Sequence, residues 1–156
     1  MTTEIVIAGR AYDPAMMGVY ALCEGFDAGL VVHMGKILDC GAAAAYPRHG
    51  SDGRLGTVER DGLTVEPPSP NQVCTGASVA AHSLYEKADP HLMHCPGGAI
   101  DLRATTFEQV TPRAVRVRGT RFVKAERYTL KLEGARRVGY RTISIAGARA
   151  PLLIAL

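Results

Sequence analysis

The chain has no tryptophan, only three phenylalanines, and no CxxC pair among Cys23, Cys40, Cys74 and Cys95. Without that spacing or a second ligand cluster, a closed zinc site lacks ligands, and the cysteines read as free thiols. No apolar run reaches the roughly 18 residues that a membrane-crossing helix needs. The opening Met1-Thr2-Thr3-Glu4 has no basic segment ahead of an apolar one, so it does not read as a secretory signal, and the expected location is the cytoplasm. Neither G-x-x-x-x-G-K-[ST] nor G-x-G-x-x-G occurs, which removes two glycine-loop routes to nucleotide phosphates. No G-x-S-x-G elbow presents a nucleophilic serine.

What is present fits one folded domain. The chain has 156 residues, 47% of them apolar and 21% charged, which argues against disorder. The formal charge of +3 is unevenly spread. Residues 1–60 hold five Lys/Arg against seven Asp/Glu, and residues 61–156 hold thirteen against eight. Ten bases fall between Arg113 and Arg141, facing only Glu126 and Glu133. That stretch has three readings: the solvated face of a sheet, a site for an anionic small molecule, or a nucleic-acid surface. Only Phe122, Tyr128 and Tyr140 are interleaved and no nucleic-acid motif accompanies them, so the solvated face is the leading expectation and nucleic acid the last.

Along the chain, residues 4–8 (EIVIA) form a β-branched run that reads as a buried strand ended by Gly9. Arg10 to Asp13 then lead into a helix, with Asp13 as cap, Pro14 in the first turn and Gly25 as the stop. Strand, glycine loop and helix open a βα unit. A second helix is expected from Ala28 to Ala44, with Leu30, Met34, Ile37 and Leu38 on one face. His33, Lys36 and Cys40 make a neighbouring stripe at i, i+3 and i+7. A loop follows at 46–54, then a hairpin over 55–66 around Asp61-Gly62. Pro67, Pro68, Ser69 and Pro70 form a stiff connector, with a candidate sub-boundary at 67–72, and a helix is expected over 75–87. Alternation predicts strands at 114–118, 128–133 and 141–145. The fold class is therefore α/β or α+β, with helices first and a strand-rich second half. The apolar last residues, 151–156, suggest an incomplete domain of a larger fold, and with it a partner subunit or homo-oligomer.

Several stretches together resemble the acyclic terpene utilisation (AtuA-like) family. They are residues 5–11 (IVIAGRA) with Asp13, 33–42 (HMGKILDCGA), 78–82 (SVAAH) with 84–86 (LYE), and 96–98 (PGG) with Asp101. The last are 128–134 (YTLKLEG) and 138–143 (VGYRTI). The resemblance implies an internal segment of a longer family pattern. It also implies catabolism of acyclic terpenes such as citronellol and geraniol through acyl-CoA intermediates. It carries over no residue roles.

On residue chemistry, His33 can move protons and Lys36 can hold a carboxylate or phosphate, with Cys40 on the same expected stripe. The plainer reading makes His33 a packed helix histidine, Lys36 a solvated cation and Cys40 or Cys74 a small buried thiol. Arg10 at a strand end can clamp an anion, while Asp13 fits capping better than catalysis. Ser51, Asp52 and His82 are further ligand-binding candidates. Lys131 and Arg141, from the basic stretch, suit the phosphates of an acyl-CoA. His91, His94 and Cys95 have no carboxylate partner at metal spacing, so no metal is expected there, and no cofactor is indicated.

Overall fold

The structure, a computed structural model, describes residue 5 and residues 12–48, 53–129 and 136–144. Among them are three helices and nine strands. The helices are α1 (Asp13–Cys23), α2 (Ala28–Leu38) and α3 (Gly76–Ser83). The strands are β1 (Ala45–Tyr46), β2 (Leu55–Val58), β3 (Leu63–Glu66), β4 (Val73–Cys74), β5 (Leu92–Cys95), β6 (Gly98–Asp101), β7 (Thr106–Gln109), β8 (Val115–Arg118) and β9 (Arg121–Lys124). All strand pairs are antiparallel, in sheets ordered β1-β4, β2-β3-β8-β7 and β5-β6-β9. Two helices precede the strands, so the class is α+β. The strand expected at residues 4–8 lies outside the described residues except for Ile5. So do Arg10, Ser51, Asp52 and Lys131.

The core forms where α2 and α3 cover the four-stranded sheet. Leu30, Met34 and Ile37 of α2 and Val79 of α3 meet Leu63 and Val65 of β3 and Val115 and Val117 of β8. Strand alternation makes this possible: Leu63 pairs with Val117 and Val65 with Val115, so four apolar side chains share one face. Fully burying each contributes roughly 1.5–3 kcal/mol. The opposite face of β8 carries Arg116 and Arg118. Arg116 pairs with Glu59 and Asp61, and Arg118 pairs with Asp61 and Glu108.

Local signals explain most element ends. Asp27 caps α2 by accepting from the Leu30 N–H at 3.0 Å. Thr75 and Ser78 form a reciprocal capping box at the start of α3. Tyr12, in extended conformation, is the cap of α1, and Asp13 is its first helical residue, where its charge still suits the helix N-terminus. The expected cap thus moves one position. The expected strand at 141–145 is not formed over 141–144, where Ile143 is 76% exposed and none of the sheets among the described residues includes these positions. His94 and Cys95 lie on β5, a strand where a loop was expected.

The connector at 67–72 is held from across the chain. The Arg113 guanidinium donates to the carbonyls of Pro67 (2.7 Å), Gln72 (3.0 Å) and Ser69. Gln72, fully buried, donates in turn to the Pro47 carbonyl at 2.9 Å.

Candidate functional site

Helix α2 stops at Leu38, where Asp39 turns extended and Cys40 left-handed. In a continuing helix the Asp39 carbonyl would accept from the Ala43 N–H. Here the His82 ring of α3 binds that carbonyl, Nε2 to O 3.0 Å, and the Ala43 N–H turns to the Cys40 carbonyl at 3.1 Å. Asp39 is extended (ψ 121°) and Cys40 left-handed (φ 55°). The helix expected to reach Ala44 therefore ends early, and a short 3-10 turn, Gly41–Ala44, replaces its last part. Cys40 leaves the stripe of His33 and Lys36 and becomes an exposed thiol.

His33 is completely buried, and both ring nitrogens are engaged. His33 Nε2 lies 2.8 Å from the Ser83 hydroxyl, which is also 3.0 Å from the Val79 carbonyl. His33 Nδ1 lies 2.9 Å from the Thr120 hydroxyl, which is 3.1 Å from that of Thr105. This chain of hydrogen bonds ties α2 to α3 and to the turn before β9. Burial pushes the imidazole down to about 4.

Lys36 faces a different neighbourhood. Its residue is 3% exposed, and its ammonium lies 3.8 Å from Asp39 Oδ2, beyond hydrogen-bond length. It also stands 5.4 Å from the centre of the Tyr85 ring, within cation–π range. His82 stacks on the same tyrosine, ring centres 5.8 Å apart and planes 23° from parallel. Ala43, Ala81, His82, Leu84 and Tyr85 line an open concavity here. Burial first, with Lys36 adding to it, pushes His82 below the ordinary histidine value, against the Asp39 and Ile37 backbone hydrogen bonds and the Asp39 charge, which raise it. His82 Nδ1 is buried without a hydrogen-bond partner among the described residues, and so is the Tyr12 hydroxyl. Burial, then Cys95 and Asp39, push the Tyr12 phenol up.

The structure therefore brings Lys36 and His82 together at the C-terminal end of α2, around Asp39 and Tyr85. Sequence reasoning missed Asp39 and Tyr85. Asp39 had one usable signal, its i, i+3 spacing from Lys36. Tyr85 had one too: it follows His82 by three residues at the expected end of a helix. Asp13 starts α1, and Arg141 lies in an exposed stretch without helix or strand. Burial raises the Cys74 and Cys95 thiols, away from the thiolate. Asp101, quoted in the family resemblance, is bound by Arg103 at 2.6–3.1 Å, which holds its carboxyl down to about 2. No group of three or more metal-ligating side chains occurs among the described residues.

Comparison with known proteins gives one positive finding. A family model described as "Acyclic terpene utilisation family protein AtuA" matches residues 55–151, well over half of the chain. Neither curated proteins nor solved structures gave a match. The matched span includes His82 and Tyr85, whereas Lys36 and Asp39 precede it. Because that model covers more than half of the chain, the chain belongs to the acyclic terpene utilisation family.

Proposed function

We propose that this protein acts on an oxygen-bearing acyclic compound in terpenoid or branched acyl-CoA catabolism, at the concavity between the end of α2 and α3. One observation carries the reading. Lys36 is 3% exposed, its one ion pair within 4 Å among the described residues is Asp39 at 3.8 Å, and it packs on Tyr85, which lines the concavity together with His82. A buried cation is costly unless hydrogen-bonded, and a ligand oxygen completes it. Ala43, Ala81 and Leu84 suit an aliphatic chain, and a neutral His82 suits proton transfer near pH 7.

The test is a thermal melt of the purified chain with branched acyl-CoA esters, the corresponding free acids and the alcohols. A ligand at 100 times its dissociation constant stabilises the fold by about 2.7 kcal/mol. The expected result is a shift with at least one class, reduced by more than half in Lys36→Met. An equal shift in Lys36→Met, or none with any class, removes the proposal.

A second reading, an assembly subunit, draws on α1. Met16, Met17, Val19 and Tyr20 are all more than half exposed and leave an apolar helix face toward solvent. It predicts a mass by light scattering above that of one chain at micromolar concentration. A strict monomer counts against it. The nucleic-acid reading has the least support, because Arg113, Arg116 and Arg118 are all paired within the chain.

A further inference from the structure

Helix α1 carries two apolar stripes, and only one of them is covered among the described residues. Pro14 and Gly18, at i and i+4, are buried against α2. The approach is close: a Cβ at Gly18 would lie 2.4 Å from Val31 Cγ1, and one at Gly35 would lie 2.1 Å from the Pro14 carbonyl oxygen. On the opposite side of the helix, Met16, Val19, Tyr20 and Cys23 recur at i, i+3, i+4 and i+7, the spacing of a stripe that faces a core. All four are exposed, Tyr20 to 76%. This one helix holds five of the sixteen exposed large hydrophobics among the described residues, so they are concentrated rather than scattered. Its only charged residue is Asp13, in the first turn. A charge set against the stripe would lose water without gaining a partner. Whatever covers it is therefore uncharged over about two helical turns. The stripe itself has that property, and a twofold axis between Val19 and Tyr20 would set two copies of it face to face. Antiparallel pairing places the negative C-terminal end of each helix beside the positive N-terminal end of the other.

We propose that α1 is a self-docking surface, on which two copies of this chain pair their α1 helices antiparallel along Met16, Val19, Tyr20 and Cys23. The proposal rests on the assembly reading above and names its partner and its contact. An 11-residue helix is about 16 Å long, so its outer face offers less than the roughly 800 Å² per partner of a standard interface. The dimer is therefore reversible, with a dissociation constant on the order of micromolar rather than nanomolar.

Analytical ultracentrifugation of the purified chain across the micromolar range follows the monomer–dimer equilibrium. Tyr20→Glu and Val19→Lys change side chains that are already more than half exposed, so the circular dichroism spectrum should stay that of the parent. Each should raise the dimer dissociation constant about tenfold or more, because a charge then enters the centre of the contact. Oxidative cross-linking with peptide mapping reads the orientation. In Met16→Cys the antiparallel pair sets the new thiol opposite the partner's Cys23, so the linked peptides join positions 16 and 23. Links of 16 to 16 or 23 to 23 would mean parallel helices and overturn the arrangement. A dimer that both charged variants leave intact overturns the inference, while the assembly reading stands on another surface. A chain that is monomeric throughout overturns both, and the cover of α1 is then a different polypeptide or another part of this chain.

Discussion

Acidification from pH 6.5 to pH 4 is expected to remove on the order of 3 kcal/mol of folding stability through His33 alone. The folded imidazole is pushed from 6.5 down to about 4 by complete burial. One unit of difference corresponds to about 1.36 kcal/mol. Above pH 6.5 the ring is neutral in both states and proton binding is balanced. Between pH 6.5 and pH 4 the unfolded chain takes up a proton that the folded chain refuses, so stability falls as pH falls. Below pH 4 both states are charged and this contribution levels off. Asp101, held down to about 2 by Arg103, acts in a lower window, below the ordinary carboxylate value. The window above pH 4 is thus left mainly to histidine, with His82, also lowered, adding in the same direction. Urea denaturation at pH 7, 5.5 and 4 measures the effect. In His33→Leu the slope should shrink to the residual from His82. That variant should also lose about 2–4 kcal/mol at pH 7, since the Thr120 and Ser83 hydroxyls each lose a buried hydrogen-bond partner. Identical pH slopes for the two proteins would mean that the ring is protonated or solvated in the folded state.

Replacing Gly35 by alanine is expected to lower stability by about 2 kcal/mol, although alanine is the better helix former. A Cβ at Gly35 would lie 2.1 Å from the Pro14 carbonyl oxygen and 2.9 Å from its carbon. The obstacle is backbone, so the two helices must move apart. Gly18 makes the reciprocal approach, where a Cβ would lie 2.4 Å from Val31 Cγ1. Overpacking of this kind costs about 3 kcal/mol at the upper end of its usual range, and alanine's helix preference returns about 1. For a chain of this length the net loss corresponds to a fall in Tm of roughly 4–8 °C. A Gly35→Ala protein as stable as the parent would show that α1 and α2 do not pack this closely in solution.

Both predictions turn on residues whose importance is only half legible in the sequence. His33 and Lys36 were candidates because a helix places them on adjacent turns of one stripe, and both are indeed buried on α2. Periodicity says which residues share a face, but not what that face meets. The partners of His33 lie 50 and 87 residues away in sequence, and the carbonyl that binds His82 lies 43 away. Cys40 was placed on the stripe for the same reason, and it left because α2 ends at Leu38 and the chain turns left-handed at Cys40. The strand expected at 141–145 had the right alternation, but alternation becomes a strand only when a sheet edge and an apolar face receive it.

Local order determined much by itself. Asp61-Gly62 between two β-branched runs is a hairpin whatever surrounds it, because the turn geometry is set within a few residues. The Val-Arg alternation of β8 commits one face to the core and the other to water, since each side-chain step reverses direction. Thr75 and Ser78 begin α3 through bonds confined to one turn. The family was legible too, because its signature is a series of such short stretches in order. Tertiary structure alone decided the site. Lys36, Asp39, His82 and Tyr85 belong to segments separated by a hairpin, a connector and a sheet strand. Only the packing of α2 and α3 on the same sheet brings an ammonium, an imidazole and an apolar wall together, where burial gives each a character it lacks in the unfolded chain.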